Sequence, residues 1–266
     1  MSLTPRKRIT FDDYRNKYDY VTLRREGGIL ELRLHDKDDK NKSVVWGIEP
    51  HGELSYLFYD IARDRENQCV IITGTGENFI GAETSLGGSI PPLVWDEIYQ
   101  NAKFIHANLL AIEVPVIGAI NGPAMVHAEL GLLSDIVLAS DTAQFQDAPH
   151  FTDGVVPGDS VQFVWQMLLG PNRGRYFLLT GQKLSAQEAL ALGVVSEVLP
   201  KGKLLDRAWH WARYITARPT LVRRYARVVL TQMLKQQMLE HVSHGIALEG
   251  LAGSVSWGMA GRSTDK

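Results

Sequence analysis

Cys69-Val70-Ile71-Ile72-Thr73-Gly74-Thr75-Gly76 is the stretch on which the fold turns. Val70 to Ile72 form a short, unbroken apolar run, closed by a glycine-flanked turn. A strand with one wet face alternates polar and apolar residues; an unbroken run predicts a strand covered on both faces by helices. The theme recurs downstream. Val116 to Ile120 stops at Asn121-Gly122-Pro123, and Ile136-Val137-Leu138-Ala139 follows a short helix. Between the first two runs, Ile98, Ala102, Ile105, Leu109 and Ile112 keep helical spacing. Upstream, Leu54, Leu57, Phe58, Ile61 and Ala62 predict another helix of about four turns. Buried strands alternating with helices predict an α/β architecture.

Further outward, Val21 and Leu23 precede Gly27-Gly28, and Leu30, Leu32 and Leu34 follow it. Period-two alternation around a Gly-Gly turn predicts a hairpin with one buried face. Asp36 to Lys42 is a charged loop. Ser185-Ala186-Gln187-Glu188 is a capping box, with Gly193 placed to end its helix. After Pro200 the strand signal disappears. Residues 204–217 and 220–250 read as helices broken at Pro219. The expected organisation is an N-terminal arm over 1–19, loosely attached, a core over 20–200 and a helical C-terminal region over 201–266.

Charge and composition narrow the function. The chain has 266 residues, enough for a sizeable core. Its 28 Lys+Arg and 30 Asp+Glu leave a net charge of -2, without the basic excess a nucleic-acid binder needs. One cysteine, Cys69, excludes an intrachain disulfide and a Cys-rich zinc site; at the start of a buried strand it reads as inert packing. The first residues lack the apolar core of a secretory signal, and no apolar stretch approaches the ~20 residues that span a bilayer. A cytoplasmic protein with no membrane partner is the expectation. There is no GxxxxGK[ST], no GxGxxG opening a helix and no GxSxG elbow.

Of the eight histidines, two stand in unusual places. His127 follows Asn121-Gly122-Pro123-Ala124-Met125-Val126 at a strand-to-helix transition, and His150 lies in the loop Gln146-Asp147-Ala148-Pro149-His150-Phe151. Loops at strand ends are where open α/β sheets bind ligands. Asp159, in Val156-Pro157-Gly158-Asp159-Ser160, has the N-cap of the next helix as its commoner reading. Glu129 and Asp135 flank a short helix and read as structural. Glu249 interrupts an apolar helical run, where a carboxylate is usually exposed or paired with Arg. Trp46 reads as a core aromatic whose indole N–H is free to donate. Arg223-Arg224-Arg227 reads as a solvated face or an interface.

The strings CVIITGTGENF, IEVPVIGAINGP, SDIVLASDTAQF, GVVPGDS and GRYFLLTGQKLSAQEALALGVVSEVLP resemble the crotonase (enoyl-CoA hydratase/isomerase) superfamily, from about residue 20 to 250. The resemblance implies a crotonase-like spiral of ββα turns, a helical C-terminal oligomerisation region, and homotrimers or dimers of trimers. The family usually binds acyl-CoA thioesters and holds an enolate oxygen with two backbone N–H groups. Here the first oxyanion segment is Phe79-Ile80-Gly81-Ala82-Glu83-Thr84-Ser85, and the usual triple glycine of the second is replaced by Met125-Val126-His127-Ala128. His150 stands where hydratases carry a glutamate. These departures resemble a divergent branch, the β-diketone hydrolases of the 6-oxocamphor hydrolase type. That resemblance implies a retro-Claisen cleavage of a cyclic or bicyclic 1,3-diketone by water, giving a keto acid without metal or cofactor. His150 would be the general base, Asp159 its orienting partner, His127 the oxyanion donor, Glu249 a proton relay and Trp46 a pocket residue. The rival readings are an enoyl-CoA hydratase or isomerase with an altered site, a non-catalytic scaffold of the same fold, and a metal site of His127, His150 and Asp159, whose spacing follows no standard ligand motif.

Overall fold

The computed structural model describes residues 8–84 and 90–256. A short helix, α1 (Phe11–Tyr14), leads into the hairpin β1 (Val21–Glu26) and β2 (Ile29–Leu34), then β3 (Val45–Trp46) and α2 (Ile48–Arg63). The next units are β4 (Cys69–Thr73), β5 (Ala82–Glu83), α3 (Pro92–Ala111), β6 (Val116–Ile120), α4 (Glu129–Leu132), β7 (Ile136–Ser140) and β8 (Gln144–Phe145). Then come α5 (Val161–Leu169), α6 (Pro171–Thr180), β9 (Leu184–Ser185), α7 (Ala186–Ala191) and β10 (Glu197–Leu199). Three helices close the chain: α8 (Lys201–Thr216), α9 (Thr220–Leu230) and α10 (Gln232–Ser256).

The main sheet has six strands in the order β1-β2-β4-β6-β7-β10. Only the β1–β2 hairpin is antiparallel within it; every other pair is parallel. Strand alternation sends β4 residues to two cores. Cys69 and Ile71 pack with Ile117, Ala119 and Leu138 beneath Leu204, Ala208 and Trp209 of α8. Val70 and Ile72 belong to the larger core with Leu57 and Phe58 of α2 and Ile105 and Leu109 of α3. Each such fully buried aliphatic side chain contributes roughly 1.5–3 kcal/mol. The unbroken apolar run is therefore what this position requires, and the architecture is the expected α/β one, with a helical C-terminal region.

Four expectations are corrected. The hairpin was expected to bury one face, but β2 is covered on both. Glu31, polar in sequence, is buried because the Trp209 indole N–H donates to its Oε2 at 2.6 Å and Arg33 pairs with Oε1 at 2.9 Å. The segment read as a loose arm is docked from Phe11 onward: Tyr14 is fully buried and donates its hydroxyl proton to Asp64 at 2.9 Å, while Tyr18 and Lys17 both reach Asp60. The arginines of α9 are not solvated. Arg227 is fully buried, its guanidinium on Asp135 and on the Ile112 carbonyl, and Arg223 bonds the carbonyls of Thr216 and Arg218. The 220–250 helix also breaks at Thr231 (φ -97°, ψ 0°).

Two glycine contacts position the site. A Cβ on Gly118 of β6 would collide with the Gly131 carbonyl, so its absence lets α4 sit directly on the strand. A Cβ on Gly158 would likewise strike the Gly245 carbonyl. That glycine-to-glycine crossing brings α10, and with it Glu249, against the loop that carries Asp159.

Candidate active site

His127 sits between β6 and α4, in a segment tied down by Ala124, which bridges Ile80 and Phe145. The backbone N–H groups of Met125 and Val126 both donate to the Ile80 carbonyl, at 2.9 and 3.3 Å. The chain then turns sharply: His127 has φ 45°, a left-handed conformation that non-glycine residues adopt at a cost. The turn starts α4 and folds Glu129 back, so that Glu129 Oε1 meets His127 Nδ1 at 2.6 Å. Glu129, expected to be structural, is thus the buried partner of a site histidine. Trp46 is buried and lies against the His127 ring with centroids 4.3 Å apart.

His150 is held in the same manner, by a carboxylate on Nδ1. Asp147, three residues earlier in the loop, places Oδ1 2.6 Å from His150 Nδ1. This corrects the role expected of Asp159. The ring is oriented by Asp147, and Asp159 faces the other nitrogen.

Asp159 does not cap α5. The N-cap position is Ser160, and Asp159 points into the site. Its Oδ1 lies 3.4 Å from His150 Nε2 and its Oδ2 3.4 Å from His127 Nε2. Glu249 Oε1 lies 3.7 Å from His150 Nε2, and Glu249 is buried, contrary to the exposed or Arg-paired reading. These separations exceed a formed N–H···O bond of 2.7–3.2 Å, so Asp159 attracts both rings while leaving their Nε2 positions open to a ligand. All four expected site residues, His127, His150, Asp159 and Glu249, converge with Trp46 on one cavity, whose wall also includes His51, Glu83, Trp95, Ile98 and Ile246. Glu83 comes from the Phe79–Ser85 segment, of which Ser85 lies outside the described residues. No Lys or Arg is among the described residues lining the cavity.

Burial and charge compete at each group. Burial pushes the His127 imidazolium down, but Glu129 and Asp159 overcome it and raise the group to about 9. For His150 burial again opposes the charge, and Asp147 and Asp159 lift it well above the usual histidine range. Glu249 is pushed up by burial to about 7, against the pull of His150. His51 is forced well below the ordinary value by burial and then by the neighbouring His127. Cys69 fits inert packing: it is fully buried, and burial pushes its thiol up to about 12.

Sequence reasoning missed Asp147, Glu83 and His51. Asp147 had a signal, a carboxylate three residues before His150 in a tight loop. His51, in the first turn of α2, had none. Two groups, His127-Glu129-Asp159 and His150-Asp159-Glu249, bring ligand atoms within 4.8 Å of one another, close enough for a cation. Both differ from the His127-His150-Asp159 set considered from sequence. Among the described residues no helix is long and apolar enough to cross a membrane.

Residues 24–248 match the sequence profile of the enoyl-CoA hydratase/isomerase family. Carnitinyl-CoA dehydratase of Shigella flexneri is 29% identical over 195 residues, 73% of each chain, and that of Citrobacter koseri is 30% identical over 193 residues, 72% of each. Among solved structures, a β-diketone hydrolase from the cyanobacterium Anabaena, bound to (S)-3-oxocyclohexyl acetic acid, superposes with a TM-score of 0.88 at 46% identity, covering 91% of this chain and 97% of that one. An enoyl-CoA hydratase/isomerase from Mycobacterium paratuberculosis superposes with a TM-score of 0.81 at 22% identity, covering 92% and 98%. A profile that matches most of the chain, on this fold, makes the chain a member of the crotonase, or enoyl-CoA hydratase/isomerase, superfamily of enzymes.

Proposed function

We propose that this enzyme hydrolyses a carbon–carbon bond of a cyclic or bicyclic 1,3-diketone, a retro-Claisen reaction giving a keto acid. The observation that carries the reading is the arrangement of His127 and His150, each oriented through Nδ1 by its own carboxylate and each facing Asp159 through Nε2. A crotonase acting through backbone amides has no need of it. The partly apolar cavity, with no Lys or Arg among the described residues that line it, suits a neutral diketone better than a CoA thioester with its phosphates.

Neutral His150 takes a proton from water at Nε2 as the water oxygen bonds to one carbonyl carbon. The oxyanion accepts a hydrogen bond from His127 Nε2–H; Glu129 and Asp159 keep that ring cationic near neutrality. Collapse of the tetrahedral adduct breaks the bond to the carbon between the carbonyls. Its electron pair delocalises onto the second carbonyl as an enolate, which explains why a diketone is needed. Glu249, held near 7, relays a proton towards the enolate carbon. Because Asp147 and Asp159 favour the protonated ring, turnover rises with pH as His150 loses its proton.

The 46%-identical Anabaena enzyme supports the reading. Its bound ligand, a cyclohexanone carrying an acetic acid arm, is the kind of keto acid that water and a bicyclic 1,3-diketone would form. The test is turnover of a panel of cyclic and bicyclic 1,3-diketones, with the keto acid identified by mass spectrometry. His150→Ala should lower kcat by about 10²–10⁴ while the fold survives. Binding of an acyl-CoA in calorimetry, with no diketone cleaved, would instead support the thioester chemistry of the carnitinyl-CoA relatives.

The exposed apolar side chains of α9 and the start of α10, among them Leu221, Val222, Tyr225, Val229, Leu230 and Met233, support a homotrimer or dimer of trimers. Light scattering on the purified protein tests this; a monomer would refute it.

A further inference from the structure

Two adjacent residues, Asp159 and Ser160, are both strong helix-cap types, yet neither side chain caps α5. Asp159 is turned into the cavity. Ser160 occupies the N-cap with φ 91°, a left-handed conformation unfavourable for a residue with a Cβ. Its hydroxyl is directed elsewhere, to His106 Nε2 at 2.9 Å. Ser160 and His106 are both fully buried, and neither lines the cavity.

The His106 tautomer follows from its partners. Nδ1 lies 2.8 Å from the Ala102 carbonyl, which only accepts, so Nδ1 carries the proton. In the neutral ring Nε2 is then the acceptor and the Ser160 hydroxyl the donor. The same Nε2 lies 3.5 Å from Glu129 Oε1, the carboxylate that orients His127. A single ring behind the cavity, anchored to α3, thus touches both the residue that aims Asp159 and the residue that aims His127. Local preferences overridden together in this way mark a constraint imposed by the site.

We infer that Ser160 and His106 are positioning residues: the Ser160–His106 bond holds the left-handed turn that directs Asp159 between the two site histidines instead of letting it cap α5. The inference rests on the reading that Asp159 and the histidines act on the substrate. Its consequence for the unliganded protein does not. If the turn relaxes, Asp159 withdraws from both Nε2 atoms and both imidazoles become easier to deprotonate.

The experiment compares Ser160→Ala with Ser160→Gly in the full-length enzyme. Alanine keeps the Cβ and loses the hydroxyl, so nothing holds the unfavourable turn. Glycine loses the hydroxyl but adopts φ 91° freely. The expected order of kcat/KM is wild type, then Ser160→Gly within about tenfold, then Ser160→Ala lower by about ten- to a hundredfold. In nitrogen-15 imidazole NMR of the unliganded protein, the His127 and His150 titrations should both move to lower pH in Ser160→Ala. A role confined to packing predicts the reverse order, because alanine is closer to serine in volume. Ser160→Ala leaving both titrations unmoved, or Ser160→Gly proving worse than Ser160→Ala, would overturn the inference. Should the alanine variant fail to fold, His106→Phe, which removes the other end of the bond and keeps Ser160, decides on the His150 titration: moved to lower pH supports the inference, unmoved overturns it. If no diketone is turned over, the NMR measurement still judges the positioning while the functional reading fails separately.

Discussion

Replacing Asp147 by Asn tests the His150 assignment most directly. Asp147 Oδ1 lies 2.6 Å from Nδ1, and the pair is buried. Unit charges about 4 Å apart attract by roughly 4 kcal/mol at an effective dielectric of about 20, equivalent to roughly three pH units of imidazolium stability. Asparagine retains a hydrogen-bonding group but not the charge. The His150 titration should therefore fall by about one to three units. Because the neutral ring is the reactive form, the ascending limb of kcat/KM against pH moves to lower pH. The plateau above it drops by about 10²–10⁴, since the weaker base is less well oriented and its cation less stabilised. Stopped or continuous assays of diketone loss from pH 5 to 10 would report both effects, with circular dichroism confirming the fold. A merely structural role lowers the plateau without moving the limb. An unmoved limb with full activity would refute the assignment.

Glu249 and His127 both bind protons more tightly folded than unfolded, Glu249 at about 7 against 4.5 and His127 at about 9 against 6.5. Their contributions are complete below the unfolded values and disappear as pH rises through the folded ones, so the Tm should decline from about pH 5 to 9. Glu249→Gln should flatten the lower part of that decline; an unchanged slope in calorimetry argues against a buried, proton-retaining Glu249. Arg227→Ala removes the cationic partner of Asp135 and a donor to two carbonyls, and should cost about 3–5 kcal/mol in urea unfolding; a loss below about 1 kcal/mol would restore the solvated-face reading. His150 Nε2 lies 3.4 Å from Asp159 Oδ1 and 3.7 Å from Glu249 Oε1, close to the roughly 3.3 Å between neighbouring ligands of tetrahedral zinc. Micromolar zinc should inhibit turnover reversibly with chelator, and indifference to millimolar zinc would contradict this geometry.

The elements readable from sequence were those whose signal is local. Val70 to Ile72, the Gly27-Gly28 hairpin and the Ser185 capping box depend on neighbours in the chain, and each forms the expected element, although the second hairpin strand is buried on both faces. Misreadings arose where the deciding partner was distant. Glu31 is buried by Trp209, Arg227 by Asp135 and the Ile112 carbonyl, and Glu249 by a glycine contact between α10 and the Gly158 loop. Nothing near those residues announces such partners. The site divides similarly. His127, His150, Asp159 and Glu249 were named through ordered strings and family resemblance, whereas Asp159 alone would have been assigned to a cap. That it is not a cap follows from the backbone at Ser160, a conformation no composition rule anticipates. Asp147 was legible in principle, since a carboxylate three positions before a loop histidine is a local pattern.

The abundance of acid in the cavity bears on product departure. Glu83, Asp159 and Glu249 line it together, with Asp147 just behind. A diketone enters uncharged and is indifferent to them, but on the proposed reaction it departs as an anion. Each turnover of that kind leaves an anion that the acids oppose and the cationic His127 attracts. On that reading the newly made carboxylate leaves more readily as pH rises and His127 gives up its proton, so product inhibition should weaken above about pH 9.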